Sequence, residues 1–301
     1  MTHVAVLHDI VHTTVYRYNV PVTFGEHRVM FRPRDSHDQR VLATDLEVSP
    51  QSDIRLIQDA YSNSIALVQP AQAATELRFV CSFSIEHVPA GLAPPLAVSA
   101  EYLPFSYSLN ERMDLEPYLR PHHDDPHGVL ITWTHQFLSN AGPTGTHDVL
   151  ARMNAAIGQT LSYVTRDEEG TQSPVRTLEL GSGSCRDYAL LMMEAVRRLG
   201  IAARFVSGYL YDGSLDAEGD VAMVGSGVTH AWLQVYLPGA GWITYDPTNN
   251  LVGGSQLIRV AVVRDPAYAS PVSGSWYGEA TAYEGMTASV QVSRRKMEGQ
   301  V

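Results

Sequence analysis

The sequence predicts an α+β protein: an amino-terminal antiparallel β domain, followed by a core in which a helix packs on an antiparallel sheet. In the region up to residue 88, apolar and polar residues alternate with a period of two, which is typical of strands with one buried face. After residue 185 the apolar residues follow a helical period, and strand-like runs come directly after that helix. A helix followed by successive strands, rather than alternating strands and helices, indicates an antiparallel sheet.

Residues 1–88 form the predicted amino-terminal β domain. Its clearest strand has five apolar residues that alternate with polar ones: Leu77, Phe79, Cys81, Phe83 and Ile85. Because Cys81 shares the apolar face of this strand, we expect a buried structural thiol there rather than a reactive one. The chain has only two cysteines, so disulfide bonds are not expected to organise the fold.

Residues 89–145 are predicted to connect the two domains through an irregular, proline-rich region with short helices. Within it, segment 121–127 is rich in histidine and aspartate, which are ligand types that zinc accepts. Contiguous loop residues do not converge on one ion without a scaffold, so a solvated loop is the favoured interpretation. The acidic stretch 212–220 partly resembles a calcium loop but lacks its terminal glutamate. We therefore predict no metal and no other cofactor.

Residues 146–301 are predicted to form the core. One helix is expected to begin near Thr146, a suitable N-cap, and a second runs from Cys185 to the helix-closing Gly200. Strand-like runs follow, the last of them near the C-terminus: 204–211, 229–237, 242–245 and 286–292. A frayed tail is expected from about Arg295, and we assign both the last strand and the tail to the core domain.

The composition restricts the classes of function. The chain has 301 residues, a formal net charge of −11 and a pI near 5.5. Proteins that bind nucleic acid or anionic membranes carry lysine- and arginine-rich faces, which this balance argues against. The amino-terminal residues do not resemble a signal peptide, and no apolar run reaches the length of a membrane-spanning helix. We therefore expect a cytoplasmic protein that binds neither nucleic acid nor membranes.

Cys185 is the residue that the sequence marks most clearly for chemistry. It follows Gly183 and Ser184 and opens the amphipathic run, so its thiol lies at a helix N-terminus, where the thiolate is favoured. A nucleophilic thiol needs a base, and that base needs a group that orients it. His230 begins one predicted strand and Asp246 ends the next, so a tight antiparallel connection is expected to bring them together.

Each of these residues also has an ordinary structural interpretation. Taken alone, Cys185 is a small buried side chain, His230 is a core histidine with a satisfied hydrogen bond, and Asp246 starts an Asp-Pro turn. The combination of all three residues favours a Cys-His-Asp triad, because the cysteine is flanked by glycines and the histidine is followed by Trp232.

Four segments of the core resemble the bacterial transglutaminase-like family of cysteine proteases: Gly183–Ala189, Ala203–Leu210, His230–Trp232 and Asp246–Asn249. Three amino-terminal segments resemble the β domain of that family: His12–Tyr18, Arg32–Arg34 and Asp59–Asn63. Ser62 stands where the family usually has glycine. The resemblance covers most of the chain.

The resemblance implies a papain-like core in which Cys185 is the nucleophile, His230 is the general base and acid, and Asp246 orients the imidazole. The implied reaction is attack on a carboxamide of a peptide or protein, which gives a thioester acyl-enzyme. Water resolves this thioester in a cysteine protease or amidohydrolase, and a primary amine resolves it in a protein-glutamine transamidase. A non-catalytic peptide-binding module is a further alternative, and the sequence does not choose between water and amine.

Acyl-transfer chemistry also requires donors for the oxyanion of the tetrahedral intermediate. The backbone N–H of Cys185 is the first candidate, and Tyr163 is the candidate for the second. Trp232 and Tyr209 are expected to line the cleft around the triad and to exclude water.

Overall fold

The structure is a computed structural model that describes residues 5–88, 94–166, 170–212, 227–254 and 256–295. It contains an amino-terminal β sandwich, a short connecting region and a core of helices on an antiparallel sheet. The predicted acidic loop, from residue 213 onwards, and the predicted tail after residue 295 lie outside the described residues. No helix in the described ranges has the length and apolarity needed to cross a membrane.

The amino-terminal sandwich is built from six strands in its first part: β1 (Val6–Phe24), β2 (His27–Val29), β3 (Gln39–Ser49), β4 (Ser52–Gln58), β5 (Ser64–Pro70) and β6 (Ala74–His87). One sheet places β6 between β1 and β3, and the other places β5 between β2 and β4. The apolar residues of β6 point between the sheets, as their period of two predicts. Cys81 is among them, and burial raises the pKa of its thiol to about 12.

The connecting region contains two short strands and two helices: β7 (Tyr102–Leu103), α1 (Leu109–Leu119), α2 (Val129–His135) and β8 (Thr144–Gly145). The sequence predicts that the histidine-rich loop of this region is solvated. In the structure, the core holds this loop in place. The backbone N–H groups of His122 and His123 donate to the buried carboxylate of Glu194, at 3.1 and 3.2 Å. Asp125 caps α2 by accepting from backbone N–H groups at its start. These hydrogen bonds from backbone N–H groups account for the position of the loop without a bound ion.

The core contains three helices and seven strands: α3 (Thr146–Thr160), β9 (Ser162–Tyr163), α4 (Pro174–Leu180), β10 (Ser182–Gly183), α5 (Cys185–Arg198), β11 (Ala203–Leu210), β12 (Thr229–Leu237), β13 (Gly241–Asp246), β14 (Leu251–Val252) and β15 (Leu257–Val263). Five of these strands form an antiparallel sheet in the order β14, β13, β12, β11, β15. The apolar side of α5 packs on β12, and Gly200 closes the helix in a left-handed conformation.

The chain ends in the amino-terminal sandwich through three strands: β16 (Val272–Ser273), β17 (Trp276–Tyr277) and β18 (Tyr283–Arg295). The last strand is present where the sequence predicts it, but it pairs with β1 and does not belong to the core. β18 pairs with β1 from Leu7 to Tyr18, along the edge of β1 that lies opposite β6. Val290 and Val292 of β18 thereby join the apolar centre of the sandwich.

The sandwich and the core are packed together through β15. Ile258 and Val260 of this strand belong to the same apolar cluster as the sandwich interior. At the strand's edge, the side-chain amide of Asn63 accepts from Val262 N–H at 3.0 Å and donates to Val262 O at 2.9 Å. Asn63 follows Ser62, whose φ of 61° lies in the left-handed region that favours glycine.

Candidate active site

Cys185 is the first residue of α5, and a network of hydrogen bonds fixes its position. Asp187, two residues further into the helix, is fully buried and accepts from the backbone N–H and the hydroxyl of Ser184, at 2.8 and 2.9 Å. The same carboxylate accepts from Arg166 at 3.1 Å and from the backbone N–H of Gln172 at 2.7 Å. The thiol therefore lies at a well-anchored helix N-terminus, where the helix dipole favours negative charge.

His230 and Asp246 come from neighbouring strands, β12 and β13, that are joined by a tight turn. Backbone pairing between Leu237 and Gly241 closes this turn, as the sequence predicts. The turn sets the register that brings the beginning of β12 beside the end of β13. His230 Nε2 lies 2.8 Å from Asp246 Oδ2, and both side chains are fully buried.

Asp246 is held as a carboxylate by several donors besides His230. The backbone N–H of Thr248 donates to Oδ1 at 3.0 Å, and the side-chain amide of Asn249 donates to Oδ2 at 3.0 Å. Burial opposes ionisation of this carboxyl group, but the His230 charge and these hydrogen bonds lower its pKa. The sequence alone assigns no role to Asn249. The signal available was its place in the run Asp246–Asn249, three residues beyond the carboxylate.

Cys185 and His230 lie close enough together that each shifts the pKa of the other towards its charged form. Burial opposes ionisation of the Cys185 thiol, but the hydrogen bond and charge of His230 lower the pKa of the thiol. Burial also opposes the charged imidazole, but the charge of Asp246 and its hydrogen bond raise the pKa of His230. Nδ1 of His230 has no hydrogen bond to the described nitrogen and oxygen atoms, so it is the nitrogen left to exchange a proton with sulfur. These shifts favour a thiolate beside an imidazolium.

Tyr163 lies beside the nucleophile. β9 pairs in parallel with β10, which places Tyr163 next to Gly183, two residues before Cys185. The charge and the hydrogen-bonding groups of Cys185 act on the tyrosine hydroxyl, which therefore lies close to the nucleophile. Burial and then the charge at Cys185 raise the pKa of Tyr163, so its hydroxyl stays protonated and can donate a hydrogen bond. Its ring remains partly exposed at the entrance to the site.

Trp232 packs beside His230, with the ring centres 5.9 Å apart, and is almost completely buried. Gly208 lies opposite His230 in the neighbouring strand. A Cβ atom at position 208 would lie 2.6 Å from the Trp232 ring and 2.1 Å from the carbonyl oxygen of Ile258. Only glycine therefore leaves room for the indole in the wall that shields the imidazole.

Tyr209 does not line this cleft, so that prediction is wrong. Its hydroxyl bonds to His12 Nδ1 at 2.9 Å and to the carbonyl oxygen of Phe31 at 3.3 Å, both in the sandwich. The ring belongs to the apolar cluster between the sandwich and the core. Nearly every residue of β11 is buried, so its sequence shows no alternation that could reveal which way each side chain points. A bulge between Ser207 and the following residue also shifts the pairing of β11 with β15, and the sequence does not reveal this shift.

The site brings together a thiol at a helix N-terminus, a buried histidine paired with a carboxylate, and a tyrosine beside the thiol. These are the kinds of group that acyl transfer by a thiol requires. No cluster of three or more histidine, cysteine, aspartate or glutamate side chains that could hold a metal ion occurs among residues 5–88, 94–166, 170–212, 227–254 and 256–295.

Comparisons with known families match both parts of the chain. A family described as "Bacterial transglutaminase-like N-terminal region" matches residues 8–86, and the "Transglutaminase-like superfamily" core matches residues 132–247. The core match spans Cys185, His230 and Asp246.

Relatives in mycobacteria cover most of the chain. The uncharacterised protein ML0607 of Mycobacterium leprae is 26% identical over 270 residues, which are 89% of this chain and 92% of that protein. The uncharacterised protein Rv2569c of Mycobacterium tuberculosis is 27% identical over 282 residues, covering 89% of this chain and 87% of that protein. A protein-glutamine gamma-glutamyltransferase of Pseudomonas aeruginosa is 40% identical over 67 residues, which are 22% of this chain and 10% of that enzyme.

A solved structure has the same fold over almost the whole chain. It is that of a predicted cysteine protease from Cytophaga hutchinsonii, with a TM-score of 0.69, 19% sequence identity, and coverage of 99% of this chain and 93% of that one. Together with the antiparallel sheets described above, this similarity confirms the predicted fold class, an antiparallel β domain followed by a papain-like, transglutaminase-like core.

Proposed function

Because the chain belongs to the bacterial transglutaminase-like family, we propose that it is a thiol enzyme that hydrolyses a carboxamide of a peptide or protein, as a cysteine protease or amidohydrolase. The observation that carries this proposal is the buried His230–Asp246 pair beside Cys185. A histidine that served only the core would not lower the pKa of a thiol at a helix N-terminus.

In the proposed reaction, the Cys185 thiolate attacks the carbonyl carbon, and the carbonyl oxygen becomes an oxyanion. The imidazolium of His230 then donates its proton to the leaving nitrogen, the C–N bond breaks, and a thioester and an amine or ammonia result. In the second half, His230 takes a proton from water as the water oxygen attacks the thioester carbon. The thiolate leaves, the imidazole is left protonated, and the carboxylic acid product is released. Asp246 remains ionised throughout and keeps the imidazole in place.

The oxyanion is proposed to accept hydrogen bonds from the backbone N–H of Cys185 and the hydroxyl of Tyr163. Tyr163→Phe is therefore expected to lower kcat by about 10²-fold, the usual effect of removing one oxyanion donor, with a much smaller change in KM. Steady-state kinetics with a glutamine-containing peptide measures both constants.

Tyr188→Phe is the matched control for this change. Tyr188 is one turn into α5, its ring lies 6.2 Å from that of Tyr163, and its buried hydroxyl has no hydrogen-bond partner in the described part of the chain. Its removal should leave kcat unchanged. Equal effects of the two variants would exclude Tyr163 as an oxyanion donor.

A transamidase is the second candidate, favoured by the local 40% identity to the Pseudomonas gamma-glutamyltransferase. The two activities share the thioester and differ in whether water or an amine resolves it. Incubation with a glutamine-containing peptide and a labelled primary amine separates them. We expect ammonia or peptide fragments without label in the peptide. Incorporation of the amine at a rate above that of hydrolysis would assign the enzyme to the transamidases instead.

A further inference from the structure

A group of cationic and aromatic side chains occupies the face of the core sheet that carries His230, beside the sandwich. We name Arg34, Arg204, Tyr61, Tyr118 and Trp242 the cationic cluster. All five side chains are half-buried, so they form a shared surface that solvent still reaches. None of them belongs to the proposed triad or to its oxyanion donors.

Arg204 is the best-fixed member of the cationic cluster. It lies opposite Gln234 in the sheet, and its Nε and Nη2 both donate to Gln234 Oε1, at 3.0 and 2.8 Å. Its guanidinium lies over the Trp242 ring, 4.0 Å from the ring centre. Within the described residues, Arg204 forms no ion pair with a carboxylate, and its Nη1 group makes no hydrogen bond.

Arg34 approaches the same face from the sandwich. Its Nη1 donates to Tyr61 O at 2.7 Å and to Asn63 Oδ1 at 3.2 Å, and Asn63 is bonded to the backbone of Val262. Val262 pairs with Val206 of β11, and the next residue of β11 on that face is Arg204. Arg34 likewise forms no ion pair with a carboxylate in the part of the chain that the structure describes.

The local charge is unusual for this protein. The chain has 32 acidic and 21 basic residues, so carboxylates are not scarce. Burial and then the positive charges of Arg259 and Arg34 lower the pKa of Arg204 to about 9, and the Tyr118 hydroxyl opposes this shift. Tyr118 packs edge-on against Trp242, with ring centres 5.3 Å apart. The positive charge of Arg34 thus acts on the half-buried guanidinium of Arg204, and the carboxylate that acts on Arg34, Asp59, is itself paired with Arg28.

We propose that the cationic cluster binds an oxyanion, a carboxylate or a phosphate. A guanidinium presents paired N–H donors that match two oxygens of such a group, and Arg204 is already oriented by Gln234 and Trp242. Gln234 is four residues from His230 on the same strand face, about 13 Å away at the usual rise of a strand. The oxyanion has two potential sources: an acidic side chain of a bound peptide or a free anion.

Isothermal titration of the full chain with inorganic phosphate and with citrate, at constant ionic strength, tests the proposal without reference to catalysis. We expect saturable binding with a Kd of about 1 mM or below for at least one of the two anions. Arg204→Gln is expected to weaken binding by about tenfold or more, whereas Arg55→Gln, at an exposed arginine of β4, leaves it unchanged. If Arg204→Gln does not fold, Tyr118→Phe, which keeps the ring contact with Trp242, is expected to weaken binding about threefold.

Absence of binding, or equal binding by the Arg204 and Arg55 variants, would overturn the proposal. Kinetics then identifies the source of the oxyanion. If phosphate raises KM for an acidic peptide but not for a neutral one, the cluster binds the peptide's carboxylate. If phosphate binds and KM is the same for both peptides, the cluster binds a free anion. This last comparison rests on the proposed function, but the titration does not.

Discussion

Replacing Cys185 by alanine is expected to lower turnover of a carboxamide substrate by about 10⁵-fold to 10⁶-fold, the loss seen when a covalent nucleophile is removed. No other described nucleophile is placed to attack in its stead, because His230 and Asp246 are committed to each other. The fold should survive, since removal of one sulfur atom from a small side chain costs about 1 kcal/mol. Ammonia or amine release measures turnover, and thermal unfolding measures stability.

Cys81→Ala is the matched control for this loss. Cys81 is also buried, but burial in the sandwich raises the pKa of its thiol, whereas His230 lowers that of Cys185. We expect wild-type turnover per folded molecule for Cys81→Ala. If Cys185→Ala keeps turnover within tenfold of the wild type, the thioester mechanism is excluded. If neither protein turns over any carboxamide but both bind peptide, the non-catalytic module becomes the better account.

Replacing Asp246 by asparagine is expected to lower kcat strongly, but by about 10²-fold less than the loss of Cys185. An amide keeps the shape of the side chain but can present an N–H group to His230 Nε2, which then turns or changes tautomer. The charge of Asp246 raises the pKa of His230, so the imidazolium of the wild type persists until the pH rises through that elevated value. In the asparagine variant, the imidazolium of His230 loses its proton at a lower pH.

The pH dependence of kcat/KM in the two proteins measures this second effect. The descending limb of the profile should move to lower pH in Asp246→Asn, because the raised pKa of His230 depends on the carboxylate. If neither the descending limb of the pH profile nor kcat changes, Asp246 takes no part in the mechanism and serves only to form the Asp-Pro turn.

Much of the core could be predicted because its elements have local signals. The helix from Cys185 has one apolar side, an N-terminal serine and a closing glycine. The strand from Thr229 to Leu237 has the predicted limits, and the hairpin after it requires only a short turn. These features determined the relative positions of His230 and Asp246, and the separation of Cys81 from Cys185 followed from a simple alternation in β6.

The parts that could not be predicted depend on partners far away in the sequence. β18 has a strand pattern, but nothing in that pattern says that its neighbour is β1, more than 260 residues earlier. The histidine-rich loop resembles a solvated loop until Glu194 is seen to bind its backbone. Tyr209 lies on a strand that is buried throughout, where period-two reasoning gives no direction.

The position of Tyr163 was similarly beyond local reasoning. Its strand is only two residues long, and it is defined by a parallel bridge to the residues just before Cys185. Such a short segment has no apolar-polar period that would show where its tyrosine lies. From the sequence, Tyr163 is a candidate only because the reaction needs a second oxyanion donor. The bridge places Tyr163 beside the residues that precede Cys185, where Cys185 acts on the tyrosine hydroxyl.

The central claim is that Cys185 is ionised by His230, and the pH dependence of its alkylation tests this most directly. The measurement uses iodoacetamide and the Cys81→Ala background, so that only Cys185 reacts. The account predicts that the alkylation rate stays high at neutral pH and falls only at a pH well below about 8.5, the pKa of a free thiol. In His230→Ala, the inflection should move above that value, because burial, the largest influence on the thiol, is then opposed by only the smaller effects of Arg186 and the backbone of Ala231. An inflection near or above 8.5 in the protein that retains His230, or the same inflection in both proteins, would contradict the account.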